Sequence, residues 1–556
     1  MHRVGSVVFS LLISFSLVSV ADDHAAAPAP AVTLHDHGDP VLKAMVAELK
    51  RSQEKLQLGQ LQRPYYIDYQ VTEIQDYVVD ATLGAVRSDQ TNAGRLVRVV
   101  VRIGDYKQDS YYAEGTGSME PMPLDNNEMA LRHQLWLATD NAYKAALSGL
   151  TEKQAALKNV VVETDLPDFS QEQPVESVGD LARLGVDLDK WKQLARATSD
   201  LFRADPDLDA SETSLHFRIV NRYFVNTEGT VTRHGSAAYA FTFAGSGQAA
   251  DGMRLDRSHG YIVSRPEELP TPDQVHKDAQ QLVGTFAALR KAPLVEDDYH
   301  GPVLFSADAA TALVERLVAP NILGVRPDPG NPARTRGEFA SYYKSRVLPD
   351  FLNVVDDPST IAVGGQSLLG SYEVDDEGVR AAPITLVDKG TLTHYLLGRQ
   401  PIKDFLHSNG HGRSSSSMRS SPSPQISNLI VKASNGVPFE ELKKKLTEMC
   451  KDQGRPYGYY VETTGVRLAP RLLWRIYAND GHMELVRGAT LNQLDTRTLR
   501  SDIIAAGNDE YVYNRTDPLP SAIVAPSLLF DDLEIQRANR TREKPPQYPA
   551  PALNSR

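Results

Sequence analysis

The chain has 556 residues, a formal net charge of −12 and a single cysteine. This length allows two or more domains with sizeable cores. The negative charge, without a cluster of Lys and Arg, argues against a general nucleic-acid-binding protein, and one cysteine excludes an internal disulfide.

The first 21 residues have the pattern of a secretory signal peptide. Arg3 precedes an apolar stretch over residues 7–18, and residues 19–21 form a small-residue cleavage site. The apolar stretch is shorter than the roughly 20 residues that span a bilayer, which disfavours a membrane anchor. We therefore expect an exported protein, periplasmic or extracellular, with no membrane span after cleavage and a flexible Ala/Pro-rich leader over residues 22–39.

Residues 40–292 alternate between helical and strand periodicity, which predicts an amino-terminal α+β domain with an antiparallel sheet. Helices are predicted over residues 40–58, 126–158, 180–202 and 271–291. Strands are predicted over residues 65–70, 77–86, 95–103, 106–112 and 214–243, the last broken by a turn at residues 226–229. His133 and Trp136 lie on the second helix, where such residues are usually core or domain contacts.

A second α+β domain is predicted over residues 293–540, followed by a disordered Pro-rich tail over residues 541–556. A short strand at residues 301–305 leads into a helix, and glycines in the turns at residues 375–378 and 388–390 indicate a β-meander. A further helix over residues 438–453 carries Cys450 in its apolar stripe, which favours a buried, unreactive thiol.

Seven segments of this second domain follow one another in an order that is typical of a protein family. They are residues 354–357, 375–378, 387–392, 409–413, 487–491, 506–509 and 525–528. No one segment is specific, but their order resembles the carboxy-terminal domain of the TldD/PmbA family, the metallopeptidase-related proteins also called modulators of DNA gyrase. The turn at residues 226–229 is similar to one in the amino-terminal domain of that family.

The resemblance implies a zinc-binding helix with the pattern His-Glu-x-x-x-His just upstream, at residues 311–321. Glu315 occupies the place of the glutamate, the family's general base. Val314 and Ala319 stand where the two histidines would be, and residues 511–520, which match the segment of the family's cysteine ligand, contain no cysteine. The resemblance therefore implies a member type that lacks the zinc motif, in which Glu315 is vestigial.

A zinc peptidase needs three protein ligands, a metal-bound water and a general base. Without the metal, Glu315 has no activated water to deprotonate, so we expect no metal, no cofactor and no activity of the chain alone. The resemblance implies pairing with a zinc-bearing TldD-like homologue in the proteolysis or processing of a peptide substrate. Asn409, His411 and Arg413 are candidate peptide-binding or loop residues.

Two alternatives remain open from the sequence. The protein could be a metallopeptidase with a rearranged zinc site, built from His407 and His411 or from His394, His411 and His482. Glycines around His411 break any helix there, which disfavours the first pair. The other alternative is an exported peptide-binding protein without a catalytic connection.

Overall fold

A computed structural model describes residues 34–112, 117–158, 160, 166–414, 421–492 and 494–538. The predicted signal peptide, residues 22–33 of the leader, residues 415–420 and the Pro-rich tail lie outside the described residues. The helices of the described part are α1 (Pro40–Lys55), α2 (Glu128–Leu157), α3 (Leu188–Asp200), α4 (Pro272–Lys291), α5 (Ala307–Leu313), α6 (Phe439–Asp452) and α7 (Thr496–Ser501). Among them, none is both long and apolar enough to cross a membrane.

Helix boundaries follow local capping chemistry. Asp39 begins α1 by accepting hydrogen bonds from the backbone N–H groups of Val41 (2.8 Å) and Leu42 (3.0 Å). Asn127 caps α2 in the same way, and Thr271 caps α4 with a proline at the next position. Each side-chain oxygen satisfies an N–H group that the helix leaves without a partner, which is why these helices start where they do.

The amino-terminal part is built on one seven-stranded sheet. Its strands are β1 (Pro64–Thr82), β2 (Ala85–Ile103), β3 (Gly117–Pro121), β4 (Glu176–Val178), β5 (Leu208–Asn226), β6 (Val231–Gln248) and β7 (Arg254–Val263). The order is β3-β2-β1-β5-β6, with β4 and β7 both paired to β6. All pairs are antiparallel except β4 with β6.

The two faces of this sheet have different partners. Ile67 and Tyr69 of β1 pack in the core that α1 and α2 cover, and α3 and α4 cover a second core farther along the sheet. Because side chains alternate along a strand, Asp68 and Gln70 face the opposite side. They are buried as well, and Gln70 Nε2 donates to Asp376 Oδ1 of the carboxy-terminal part at 3.1 Å. The polar face of the sheet is therefore a contact surface between the two parts of the chain.

The carboxy-terminal part contains many shorter strands. They are β8 (Tyr299–Phe305), β9 (Leu352–Asp356), β10 (Ala362–Val363), β11 (Gln366–Ser367), β12 (Ile384–Asp388), β13 (Thr391–Leu392), β14 (Gly412–Arg413), β15 (Ser423–Pro424), β16 (Asn428–Ala433), β17 (Tyr457–Thr464), β18 (Pro470–Tyr477), β19 (Met483–Val486), β20 (Ala489–Asn492), β21 (Ile503–Ala506), β22 (Tyr511–Arg515), β23 (Ser521–Ala525) and β24 (Leu528–Arg537). A six-stranded sheet has the order β13-β12-β9-β16-β23-β22, and a seven-stranded sheet has the order β19-β18-β17-β8-β24-β20, with β21 on β24.

One apolar core joins these two sheets with α5, because residues from both sheets and from the helix form a single buried cluster. Helix α6 packs elsewhere on β8 and β17, where Leu442 and Leu446 contact Leu304 and Tyr460. The hairpin between β12 and β13 has Lys389 (φ 45°) and Gly390 (φ 73°) at its centre. Two successive positive φ angles are the mark of a type I′ turn, which suits the twist of a tight hairpin.

The predicted α+β class is confirmed, with helices packed on sheets in both halves of the chain. Three details were wrong. Residues 106–112 form no strand, the third helix begins at Leu188 rather than near residue 180, and three strand pairs, β4/β6, β8/β17 and β16/β23, are parallel within sheets predicted to be antiparallel. The domain boundary near Pro293 stays a prediction.

Candidate functional site

The segment that the sequence identifies with the zinc helix changes its winding in the middle. Helix α5 ends at Leu313, and a π-helix follows over Val314–Val318, closed by a hydrogen bond from the Ala319 N–H to the Val314 carbonyl. An i→i+5 hydrogen bond brings positions 314 and 319 one above the other, which an α-helix does not do. The backbone therefore suits a pair of ligands with this spacing.

The side chains on this backbone do not suit zinc. Val314 and Ala319 are 4% and 8% exposed, carry no donor atom and belong to the apolar core. The half-exposed Glu315 forms an ion pair with Arg515 of β22, with Nη1 and Oε1 2.8 Å apart. Arg515 lies within residues 511–520, so a guanidinium occupies the segment where the family's cysteine was expected. A zinc site needs three or four N, O or S ligands, and the two expected ligand positions, 314 and 319, provide none.

The histidines considered for a rearranged site have separate surroundings. His411 lies in the core of the carboxy-terminal part, His482 stacks on Tyr477 with ring centroids 4.1 Å apart, and His394 lies 5.9 Å from the ring of Phe405. His407 is largely exposed and 3.6 Å from Glu172. Within the described ranges, no group of three or more His, Cys, Asp or Glu residues has the arrangement of a metal site.

Asn409, His411 and Arg413 are held by the protein itself. The Asn409 side chain accepts from the Leu397 N–H (2.8 Å) and donates to the Tyr395 carbonyl (2.9 Å). The His411 ring lies 3.1 Å from Asp356 Oδ1, and both side chains are fully buried. These bonds use the side chains of Asn409 and His411 to fix the loop. A role for both residues in peptide binding stays a prediction.

Arg413 is buried in the same loop. Its guanidinium donates to the carbonyls of Ile426 (2.8 Å) and Pro520 (2.9 Å) and lies 4.5 Å from the ring centroid of Tyr372. Burial lowers the pKa of the Arg413 guanidinium, although Tyr372 and Asp376 favour its charge. A peptide-binding role for Arg413 stays a prediction.

Cys450 is buried on α6, as the sequence predicted. Burial raises the pKa of its thiol to about 11, so the reactive thiolate is scarce at neutral pH. Cys450 is therefore a packing residue.

A cavity of 880 Å³ lies where the polar face of the first sheet meets the carboxy-terminal part. Residues of β1 and β2 form one wall, and residues 324–336, 398–403 and 421–424 contribute to the others. Arg and Lys side chains outnumber Asp and Glu side chains nine to five among the lining residues. In a chain with a net charge of −12, this is a local excess of positive charge.

Buried ion pairs hold the wall of this cavity. Arg102 Nη1 donates to Asp109 Oδ2 at 2.6 Å, and its guanidinium lies 3.7 Å from the ring centroid of Phe169. Arg399 lies 3.9 Å from the centroid of the same ring and pairs with Glu228 at 2.7 Å. Charged groups this deeply buried are stable only with such partners.

The carboxylates near this cavity are strongly perturbed. Burial raises the pKa of Asp68 to about 6, although Arg98 and Arg102 work in the opposite direction. Burial and the charge of Glu377 raise the pKa of Asp375 well above its usual value, and burial also raises the pKa of Glu377. Perturbed carboxylates beside a cavity are typical of functional sites, although structural ion networks produce them too.

Sequence reasoning missed this cavity almost entirely. It singled out the turn at residues 375–378 as a family segment, and that turn does contribute Asp376 and Glu377 to the wall. It gave no role to Asp68, Arg102 or Arg399. The alternation of polar and apolar residues along β1 and β2 was the available signal, but it is equally typical of a sheet with one face in water.

The fold is similar to that of several solved structures. TldE from Thermococcus kodakarensis gives a TM-score of 0.59 at 12% identity, over 89% of this chain and 100% of that one. A Thermotoga maritima protein described as a modulator of a DNA gyrase gives 0.57 at 16% identity, over 85% and 96%. A Bacteroides thetaiotaomicron protein described in the same way gives 0.58 at 12% identity, over 89% and 98%.

At these identities the structural likeness shows the fold alone. No curated protein matches the chain. Residues 298–537, however, match the family model of the PmbA/TldA metallopeptidase C-terminal domain. This match covers the ordered family segments from residue 354 to residue 528, so the carboxy-terminal part of the chain is a C-terminal domain of the TldD/PmbA family.

Proposed function

We propose that the protein is an exported TldD/PmbA-family metallopeptidase homologue that acts in peptide processing as the metal-free subunit of a pair with a zinc-bearing homologue. The observation that carries this proposal is the state of the π-helical turn. Its two ligand positions are filled by the core residues Val314 and Ala319, and its glutamate is bound to Arg515. The hydrolytic zinc would then have to come from the partner.

The ion pair also affects the chemistry of Glu315. A general base must accept a proton from water, and the Glu315 carboxylate is instead engaged with the Arg515 guanidinium. In a zinc peptidase the metal activates the water, whereas the Arg515 guanidinium provides no site that binds and deprotonates water. Glu315 is suited to a structural contact between the π-helical turn and β22.

An exposed apolar patch supports the existence of a protein partner. Met129, Trp136 and Leu137 are exposed on the outer side of α2, with Trp136 44% exposed. Their spacing on α2 places them on one side of the helix. Helix α2 contacts β3, which is the edge strand of its sheet. A helix face with an exposed tryptophan next to an open sheet edge is typical of a protein–protein interface.

The first test of the proposal is metal content. The purified full-length protein should contain far less than one zinc per chain by elemental analysis, and should hydrolyse no peptide alone. Glu315→Gln should change the free energy of unfolding by less than about 1 kcal/mol, because the ion pair that it removes is partly exposed. It should also leave partner-dependent activity unchanged. One tightly bound zinc per chain, lost together with peptidase activity on chelation, would instead establish the rearranged-site alternative.

The second test concerns the exposed side of α2 formed by Met129, Trp136 and Leu137. A tagged chain should capture a homologue with an intact His-Glu-x-x-x-His helix from its own organism. Trp136→Glu should weaken this capture by roughly 30-fold or more, since a central interface tryptophan contributes about 2 kcal/mol or more. Ile361→Glu is the matched control, because Ile361 is also exposed but lies far along the chain on the β10 hairpin. Failure of the unmodified chain to capture such a homologue would contradict the pairing.

A further inference from the structure

The cavity is lined by a buried carboxylate, one of whose oxygens has no hydrogen-bond partner. Asp68 lines the cavity and is only 6% exposed. Its Oδ1 has no hydrogen-bond partner among the described residues, although Tyr66 bonds to the carboxylate and the charges of Arg98 and Arg102 favour its ionised form. A buried acceptor without a donor costs free energy, so such a group is usually satisfied by water or by a ligand.

The same cavity has positive charge available at its rim. Lys107 and Lys403 line it and are exposed, and neither ammonium group bonds to a residue in the part of the chain that the structure describes. Deeper in the wall, Arg102 uses Nη1 for Asp109 and leaves its Nε without a protein partner. Arg326, by contrast, is already bonded to the carbonyls of residues 166 and 167.

Together these groups define the chemistry of a ligand. The Asp68 acceptor is best satisfied by a protonated amine, because its opposite charge also stabilises the ionised carboxylate. The lysines at the rim and Arg102 favour carboxylates. The volume of 880 Å³ exceeds what one water molecule needs and lies in the range of small-molecule sites.

We propose that this cavity binds an acidic amino acid, with the ligand ammonium at Asp68 and its carboxylates at Arg102 and at Lys107 and Lys403. The site is separate from the π-helical turn, since Glu315 does not line the cavity. The proposal therefore goes beyond peptide processing and does not depend on zinc or on a partner subunit.

Three probes separate the contributions by calorimetric titration of the full-length protein. L-Glutamate has the full set of groups, glutarate lacks only the ammonium, and L-glutamine replaces the side-chain carboxylate by an amide. We expect L-glutamate to bind at least tenfold more tightly than either of the other two. The loss for glutarate follows from leaving Asp68 unpaired beside a dianion, and the loss for L-glutamine from removing the charge that the rim lysines attract.

Variants assign these contributions to residues. Asp68→Asn has nearly the same shape and should remove the preference for L-glutamate over glutarate. The double variant Lys107→Gln/Lys403→Gln should remove most of the preference for L-glutamate over L-glutamine. Lys432→Gln changes an exposed lysine outside the cavity and is expected to bind all three probes as the unmodified protein does. Circular dichroism should confirm that each variant is folded.

Two results would overturn the proposal. One is the absence of L-glutamate binding to the unmodified protein at millimolar concentration. The other is equal binding of L-glutamate and glutarate in both the unmodified protein and Asp68→Asn, which would show that the ammonium does not meet Asp68.

Discussion

Replacing Asp356 by alanine should lower the free energy of unfolding by about 3–5 kcal/mol. Asp356 is fully buried at the end of β9, where its Oδ2 accepts from the Ser427 N–H at 3.0 Å and its Oδ1 lies 3.1 Å from His411 Nε2. The Ser427 hydroxyl donates to Oδ1 as well. Alanine would leave these donors buried without an acceptor, in a core that excludes water. Chemical denaturation followed by circular dichroism measures the loss.

Two further variants show whether the hydrogen bonds are the cause. Asp350→Ala, six residues earlier at an exposed position, should change stability by no more than about 0.5 kcal/mol. Asp356→Asn keeps the volume of the side chain and one acceptor oxygen, so its effect should lie between the two. A loss for Asp356→Ala as small as that for Asp350→Ala would mean that the loop at residues 409–413 is held by other contacts.

The second large effect is expected for Arg399→Ala, again about 3–5 kcal/mol. The Arg399 side chain is almost completely buried, pairs with Glu228 at 2.7 Å and donates to the Ser170 carbonyl. Its own N–H donates to Glu377 Oε2 at 2.7 Å. Truncation would leave the Glu228 carboxylate nearly buried without its cation, at the contact between the two parts of the chain. The loss should appear in denaturation as a lower midpoint.

The exposed pair Arg380–Glu373 is the matched control for this experiment. Its atoms are 2.6 Å apart, close to the distance in the buried pair, but both side chains are more than half exposed. Arg380→Ala should therefore cost less than about 1 kcal/mol. Adding Glu228→Gln to Arg399→Ala should restore part of the stability, because it removes the uncompensated charge. A double variant less stable than the single one would show that Arg399 acts through packing on Phe169 instead.

Local sequence patterns predicted the helices and hairpins because their causes are local. The periodicity over residues 40–58 predicted α1, and Asp388-Lys389-Gly390 predicted the turn between β12 and β13. The polar face of β1 and β2 could not be interpreted in this way. Whether Asp68 and Arg98 face water or another part of the chain depends on the docking of Asp376, which lies about 300 residues away in sequence.

The candidate site could be predicted from the sequence only in part, because some of its contacts join segments that are distant in the chain. The loss of zinc ligands at Val314 and Ala319 is visible in the sequence, because the family pattern fixes the positions. The ion pair between Glu315 and Arg515 is not, since it depends on how β22 packs against α5. His411 was considered as a ligand from its spacing to His407, whereas burial beside Asp356 determines its actual contacts.

The π-helical turn makes this protein a natural host for metal-site engineering. Its backbone already aligns positions 314 and 319, so new ligands would need no change in the winding of the chain. Three obstacles remain in the side chains. Histidine at 314 would replace a buried valine, a third ligand must be supplied from β22, and the Arg515 cation would repel the incoming zinc ion. A designer would therefore have to change Arg515 first, and the two positions on the helix afterwards.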